Sequence, residues 1–274
     1  MHWPLFLTWL RLSRTAFLSW SFGVVVLLGM IVSIYPSIKE VAGLQEYLQA
    51  MPEVIINLGG AGDIPMEESF PGGFYDFRAF VSMEYLSWFP VMIGVYAVFY
   101  CGGLMAREVE RGTADLLLSY PISRRQIVLT KFSVFAAMTT SISCISWAVL
   151  AISMPLIGAQ GSLLYLGLAH LTGLLVILAI ASYSTLFSCL LLEPSKALAA
   201  SGGVTLGLYF INILAPMSVS LEFLQKVSPF HYFQAMPILY HGDVDLVGLG
   251  ILILIIASGL LASVWVFDRR DILK

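Results

Sequence analysis

The longest stretch of this chain without a formal charge runs from Phe132 to Leu192, 61 residues with no Asp, Glu, Lys or Arg. As one helix, at 1.5 Å per residue, it would reach about 90 Å. A bilayer core takes roughly 20 helical residues to cross. The run must therefore fold back once. Pro155-Leu156-Ile157-Gly158-Ala159-Gln160-Gly161 gathers the turn-forming residues and is where it does so.

Four more uncharged runs follow the same pattern: Thr15 to Ile38, Tyr85 to Ala106, Ala197 to Leu221 and Leu246 to Phe267. Together they predict six spans centred near residues 25, 96, 142, 178, 208 and 257. Composition agrees, with 59% of residues hydrophobic and 11% charged, against about 25% charged in ordinary soluble domains. Backbone polar groups cannot stay unpaired in lipid, so spans are helices or a closed barrel. A barrel would show short alternating strands, and none is legible. The expected fold is all-α: a polytopic membrane protein of six transmembrane helices, forming a single transmembrane domain over residues 1–274.

Basic residues orient it. With the N-terminus inside, the inner segments hold Arg11, Arg14, Arg107, Arg111, Arg124, Arg125, Lys131, Lys196, Arg269, Arg270 and Lys274, and the outer ones only Lys39, Arg78 and Lys226. Eleven against three is a positive-inside bias, and puts both termini in the cytoplasm. In this frame Arg124, Arg125 and Lys131 mark the inner boundary of the third span. The first span has upstream arginines like a signal peptide. Its apolar run is too long and lacks an obvious cleavage site, so it reads as a retained anchor.

Residues 1–14 carry Trp3, Phe6, Trp9 and Leu10 ahead of Arg11 and Arg14, which predicts an interfacial helix on the inner face. Pro36 should break the first span and open a long outer loop, residues 36–80. There Val41, Leu44, Leu48 and Met51 recur at helical spacing, and acidic residues outnumber basic ones. A second outer segment, residues 220–245, contains Ser228-Pro229-Phe230-His231-Tyr232-Phe233. It is too apolar for a plain loop. It is either a re-entrant piece, which needs protein around it, or an interfacial aromatic belt. The fifth span sets Ser195, Ala199, Gly203 and Gly207 four residues apart. Such a small-residue face admits a close second helix, from this chain or from another copy. Cys101, Cys144 and Cys189 all fall within spans and read as buried thiols.

The inner loop between the second and third spans is the most informative segment. Gly112 suits a helix end. Thr113 is a good N-cap, with Asp115 in the first turn of a new short helix. That helix would present Leu116, Leu117 and Leu118 before Pro121 stops it. Ser123 then caps the third span, and Gln126 completes a capping box. Three leucines on the cytoplasmic side need a cover, from lipid headgroups or from a groove on a partner protein.

Glu108, Glu110-Arg111-Gly112-Thr113, Asp115-Leu116-Leu117-Leu118, Pro121-Ile122-Ser123-Arg124 and Lys131 resemble the signature of type-2 ABC transporter permeases. The closing Phe267-Asp268-Arg269-Arg270-Asp271-Ile272 is similar to that family's cytoplasmic end, and Ser228-Pro229-Phe230 to its last outer loop. The resemblance implies a permease in the cell membrane that pairs with a separate ATP-binding cassette subunit. It implies two permeases, as a homodimer or heterodimer, with two ATPases, and export driven by ATP hydrolysis. ATP and magnesium would be held by the ATPase, with no cofactor on this chain. It also implies that the segment 107–126 is the coupling element, with Glu108, Gly112, Thr113, Asp115, Leu116, Leu117, Leu118, Pro121 and Arg124 as its site residues. Ala199, Gly203 and Gly207 are the candidate permease dimer face.

The chain carries no GxxxxGK[ST] phosphate loop and no HExxH or paired-cysteine motif. Nothing points to nucleic acid, and the expected partners are the ATPase, a second permease and membrane lipids. Two alternatives stand beside the exporter. One is an assembly or immunity protein without transport. The other is a membrane-embedded lipid-modifying enzyme, for which His170, Glu193 and His231 are the candidates. His170, in an otherwise apolar helix, is expected to be a neutral imidazole bonded to a neighbouring span.

Overall fold

Capping residues in the sequence set where the helices begin. The computed structural model describes residues 3–39, 76–113, 122–217 and 220–270. Among them every regular element is helical. Asp76 accepts from the Arg78 N–H and opens the second span. Ser123 and Gln126 form the expected capping box at the start of Arg124–Leu156. Ser162 caps Leu163–Leu191, and Pro194 occupies the first position of Pro194–Leu214. Gly158, just beyond the third span, has φ +63°, the left-handed geometry that turns the chain back at the expected place.

Six of these helical stretches are long and apolar enough to cross a membrane. The first span is Arg14–Lys39 and the second covers Phe77–Glu110 with two interruptions. The third and fourth are Arg124–Leu156 and Leu163–Leu191, and the fifth and sixth are Pro194–Leu214 and Leu246–Arg269. A shorter N-terminal helix, Trp3–Leu12, precedes them and is set off from the first span at Ser13. It packs on the third span, with Phe6, Trp9 and Leu10 against the core.

The fourth span is the hub, touching the second, third, fifth and sixth. Gly259 makes the approach of the sixth span possible, since a Cβ there would lie 2.7 Å from the Ser182 hydroxyl. The second and fourth spans are mostly buried, while the first, fifth and sixth face outward along most of their length. Phe22, Leu246 and Leu254 are exposed on those outer spans, an apolar surface that suits lipid and not water.

Several expectations change. Pro36 does not break the first span, which continues to Lys39. A proline there costs its own backbone bond and a ring clash with the carbonyl four residues back, and the helix tolerates both, with Tyr35 beside it packed edge-on against Phe77. The second span starts earlier than the uncharged run, at Phe77. Its Arg78 is neutralised by Asp76 at 2.6 Å and lies under the Tyr240 ring. Cys101 and Cys189 are buried, but Cys144 is exposed on the outside of the bundle. The outer segment 220–245 folds as short helical turns with Ser228, Pro229 and Phe230 buried, and Phe230 packs edge-on against Tyr209 of the fifth span. The amphipathic helix expected around Val41 to Met51, like most of the outer loop 36–80, lies outside the described residues.

His170 behaves as expected of a bonded imidazole. Its Nδ1 faces the Leu166 carbonyl at 2.8 Å and its Nε2 the Ser146 hydroxyl at 2.7 Å, and Ser146 in turn meets the Tyr85 hydroxyl at 2.6 Å. A carbonyl only accepts, so Nδ1 carries the proton. In the neutral ring Nε2 then accepts from Ser146, and Tyr85 donates to Ser146. One directed chain thus joins the second, third and fourth spans.

Candidate functional site: the segment between the second and third spans

The second span breaks where its sequence reads Gly102-Gly103. The helix Phe89–Gly102 stops, three residues turn, and Ala106–Glu110 resumes. A break at membrane depth frees backbone groups that lipid cannot satisfy. Here the neighbouring spans satisfy them. The N–H groups of Met105 and Ala106 both donate to Ser188 Oγ on the fourth span, at 2.9 and 3.1 Å. The freed Leu104 carbonyl accepts from Lys131 Nζ on the third span at 2.9 Å.

Lys131 is therefore not a solvated boundary residue. Only 3% of its side chain is exposed. It sits two turns into the third span and faces the break. Its ammonium donates to Glu108 Oε1 at 2.9 Å and to the Leu104 carbonyl. The Trp9 ring covers it, with Nζ 3.8 Å from the ring centroid. The ammonium thus has two hydrogen-bond acceptors and one aromatic face around it. The other Glu108 oxygen accepts from the Thr113 hydroxyl. Gly112, at φ +68°, supplies the left-handed turn that lets Thr113 fold back onto Glu108.

The opposite flank is tied just as firmly. Arg124, in the first turn of the third span, donates from Nη1 to the carbonyls of Phe267 and Arg270 at 3.1 and 2.5 Å. Those carbonyls close the sixth span, so a side chain of one span caps the C-terminal end of another, where a cation is favoured.

The site residues divide accordingly. Glu108, Gly112, Thr113 and Arg124 form the two anchored flanks. Asp115, Leu116, Leu117, Leu118 and Pro121 lie outside the described residues. Sequence reasoning missed Ser188, Leu104 and Trp9. The one signal for them was the double glycine inside an apolar run, which announces a helix break and hence a need for partners.

Ser195, Ala199, Gly203 and Gly207 are all exposed, and a Cβ added at Gly203 or Gly207 would meet nothing within 4 Å. This face is not filled by the described part of the chain. Glu193, in the short turn before it, pairs with Lys196 at 2.7 Å, and that hydrogen bond holds its carboxyl below the usual range. Glu193 and His231 are in different segments from His170, which is engaged with Ser146 and Leu166. Among the described residues no group of three or more His, Cys, Asp or Glu is placed to hold a metal ion.

No curated protein matches the chain. The family model described as "ABC-2 family transporter protein" matches residues 11–272. The match takes in all six spans and the anchored segment between the second and third. The chain thus belongs to the ABC-2 transporter family: it is a multi-pass membrane protein, the permease component of an ABC transporter that associates with an ABC ATPase subunit and is not itself the catalytic subunit.

Proposed function

We propose that this chain is an exporter permease of the cell membrane. Its segment 107–126 docks on the ATPase through Leu116, Leu117 and Leu118 and carries the ATPase's movement into the bundle. The observation that supports this most is the bracing of both flanks. Glu108 and Lys131 lock the near flank to the third span, and Arg124 locks the far flank to the sixth. A displacement of the segment would reach four spans, because Ser188 joins the same break to the fourth. An element built only to connect two helices needs no such bracing.

In the working assembly two permeases pair with two ATPases, which hold ATP and magnesium. The exposed face of Ala199, Gly203 and Gly207 offers the permease contact. The test is affinity purification of the tagged chain from its native membranes. The wild type is expected to bring down an ATP-hydrolysing subunit. Leu116→Glu/Leu117→Glu/Leu118→Glu is expected to lose it while keeping an unchanged melting temperature. Full ATPase recovery with the triple variant would end the docking assignment.

A further inference from the structure

The inner ends of the third and sixth spans enclose an open groove of about 940 Å³, within the roughly 300–1,000 Å³ typical of small-molecule sites. Its rim carries Arg125 and Arg269, and its floor is Leu129, Leu261, Val264 and Trp265. The spacing orders these residues by depth. Leu261, Trp265 and Arg269 lie four apart on one helix face, so Leu261 sits about 12 Å deeper than Arg269. Leu129 lies one turn deeper than Arg125. The groove thus has a basic top at the inner membrane surface and an apolar body running into the hydrocarbon.

Arg125 is exposed and has no ion-pair partner among the described residues. Arg269 lies over the Trp265 ring, its guanidinium carbon 4.4 Å from the centroid, which holds the cation at the rim. Asp268 shares the rim, so its net charge is +1. Leu261 and Trp265 are 71% and 57% exposed, large apolar surfaces left open.

We infer that this groove is a binding site for one anionic phospholipid of the inner leaflet, its phosphate between Arg125 and Arg269 and an acyl chain along Leu129, Leu261 and Trp265. Charge complementarity selects the headgroup. Depth selects a lipid over a soluble protein, which could reach the rim but not a floor about 12 Å into the bilayer. The inference rests on the six-span topology and its positive-inside orientation, not on the coupling assignment.

The test uses the full chain in nanodiscs containing phosphatidylglycerol with a photoreactive group on its acyl chain, against phosphatidylcholine with the same group. Labelling is read on peptides covering 125–129 and 261–269. One net positive charge at the surface predicts about fivefold preference for the anionic lipid. Arg125→Ala/Arg269→Ala should erase the preference, and Arg125→Lys/Arg269→Lys should keep most of it, which separates lost charge from lost fold. Millimolar inorganic phosphate should leave the labelling unchanged. Equal labelling by the two lipids, indifference to the alanine pair, displacement by phosphate, or capture of a protein in place of lipid by a photoreactive residue at position 265 would each overturn the proposal.

Discussion

Replacing Glu108 by alanine strands a charge. Lys131 would keep the Leu104 carbonyl and the Trp9 ring but lose its only anion among the described residues, with 3% of its side chain open to solvent. Removing one partner of a buried ion pair costs about 3–5 kcal/mol. Glu108 is 12% exposed, so water can relieve part of the penalty and the lower end, about 3 kcal/mol, is expected. At about 2–4 °C per kcal/mol this is a fall of roughly 6–12 °C in melting temperature. The cost belongs to the unpaired ammonium and not to the lost contact itself. Glu108→Ala/Lys131→Met removes both charges but also the donor to the Leu104 carbonyl, so it should recover about 1 kcal/mol relative to Glu108→Ala. Unfolding in mixed detergent–SDS micelles, followed by tryptophan fluorescence, gives both numbers. If Glu108→Ala shifts stability by under about 1 kcal/mol, or the double variant is no better than the single, the ion pair does not hold the break together.

Two neutral networks should also respond to the loss of one partner. Ser188→Ala leaves the Met105 and Ala106 N–H groups without their acceptor. It should cost at least about 1 kcal/mol in the same unfolding assay. In the outer half, Ser146→Ala orphans both His170 Nε2 and the Tyr85 hydroxyl, whereas Tyr85→Phe leaves Ser146 still donating to His170. The serine variant is expected to lose about 1–3 kcal/mol and the phenylalanine variant about 1 kcal/mol. The reverse order would contradict the direction assigned to the chain.

The spans were legible because lipid demands uninterrupted apolar runs, and the helix starts at Ser123 and Gly112's turn were legible because caps are local. What was not legible is tertiary. Glu108 and Lys131 are separated by the whole inner loop, and charge counting by itself could only assign Lys131 to a boundary. Outward and inward faces were also indistinct. Cys144 read as a buried thiol, yet it is exposed on the bundle. In a membrane both faces of a span are apolar, so the periodicity that reveals a soluble helix's buried side is weak. Pro36 misled because a local penalty was read as decisive: a proline costs one backbone bond and a ring clash with the preceding turn, and the first span nonetheless runs on to Lys39.

Coupling through this segment requires residue 117 to sit against the ATPase. A photoreactive amino acid in place of Leu117, activated in intact membranes, should form its main cross-link to a cytoplasmic polypeptide that binds and hydrolyses ATP. Cross-links confined to lipid or to this chain, or labelling of a cysteine at position 117 by an impermeant reagent added only from outside the cell, would contradict it.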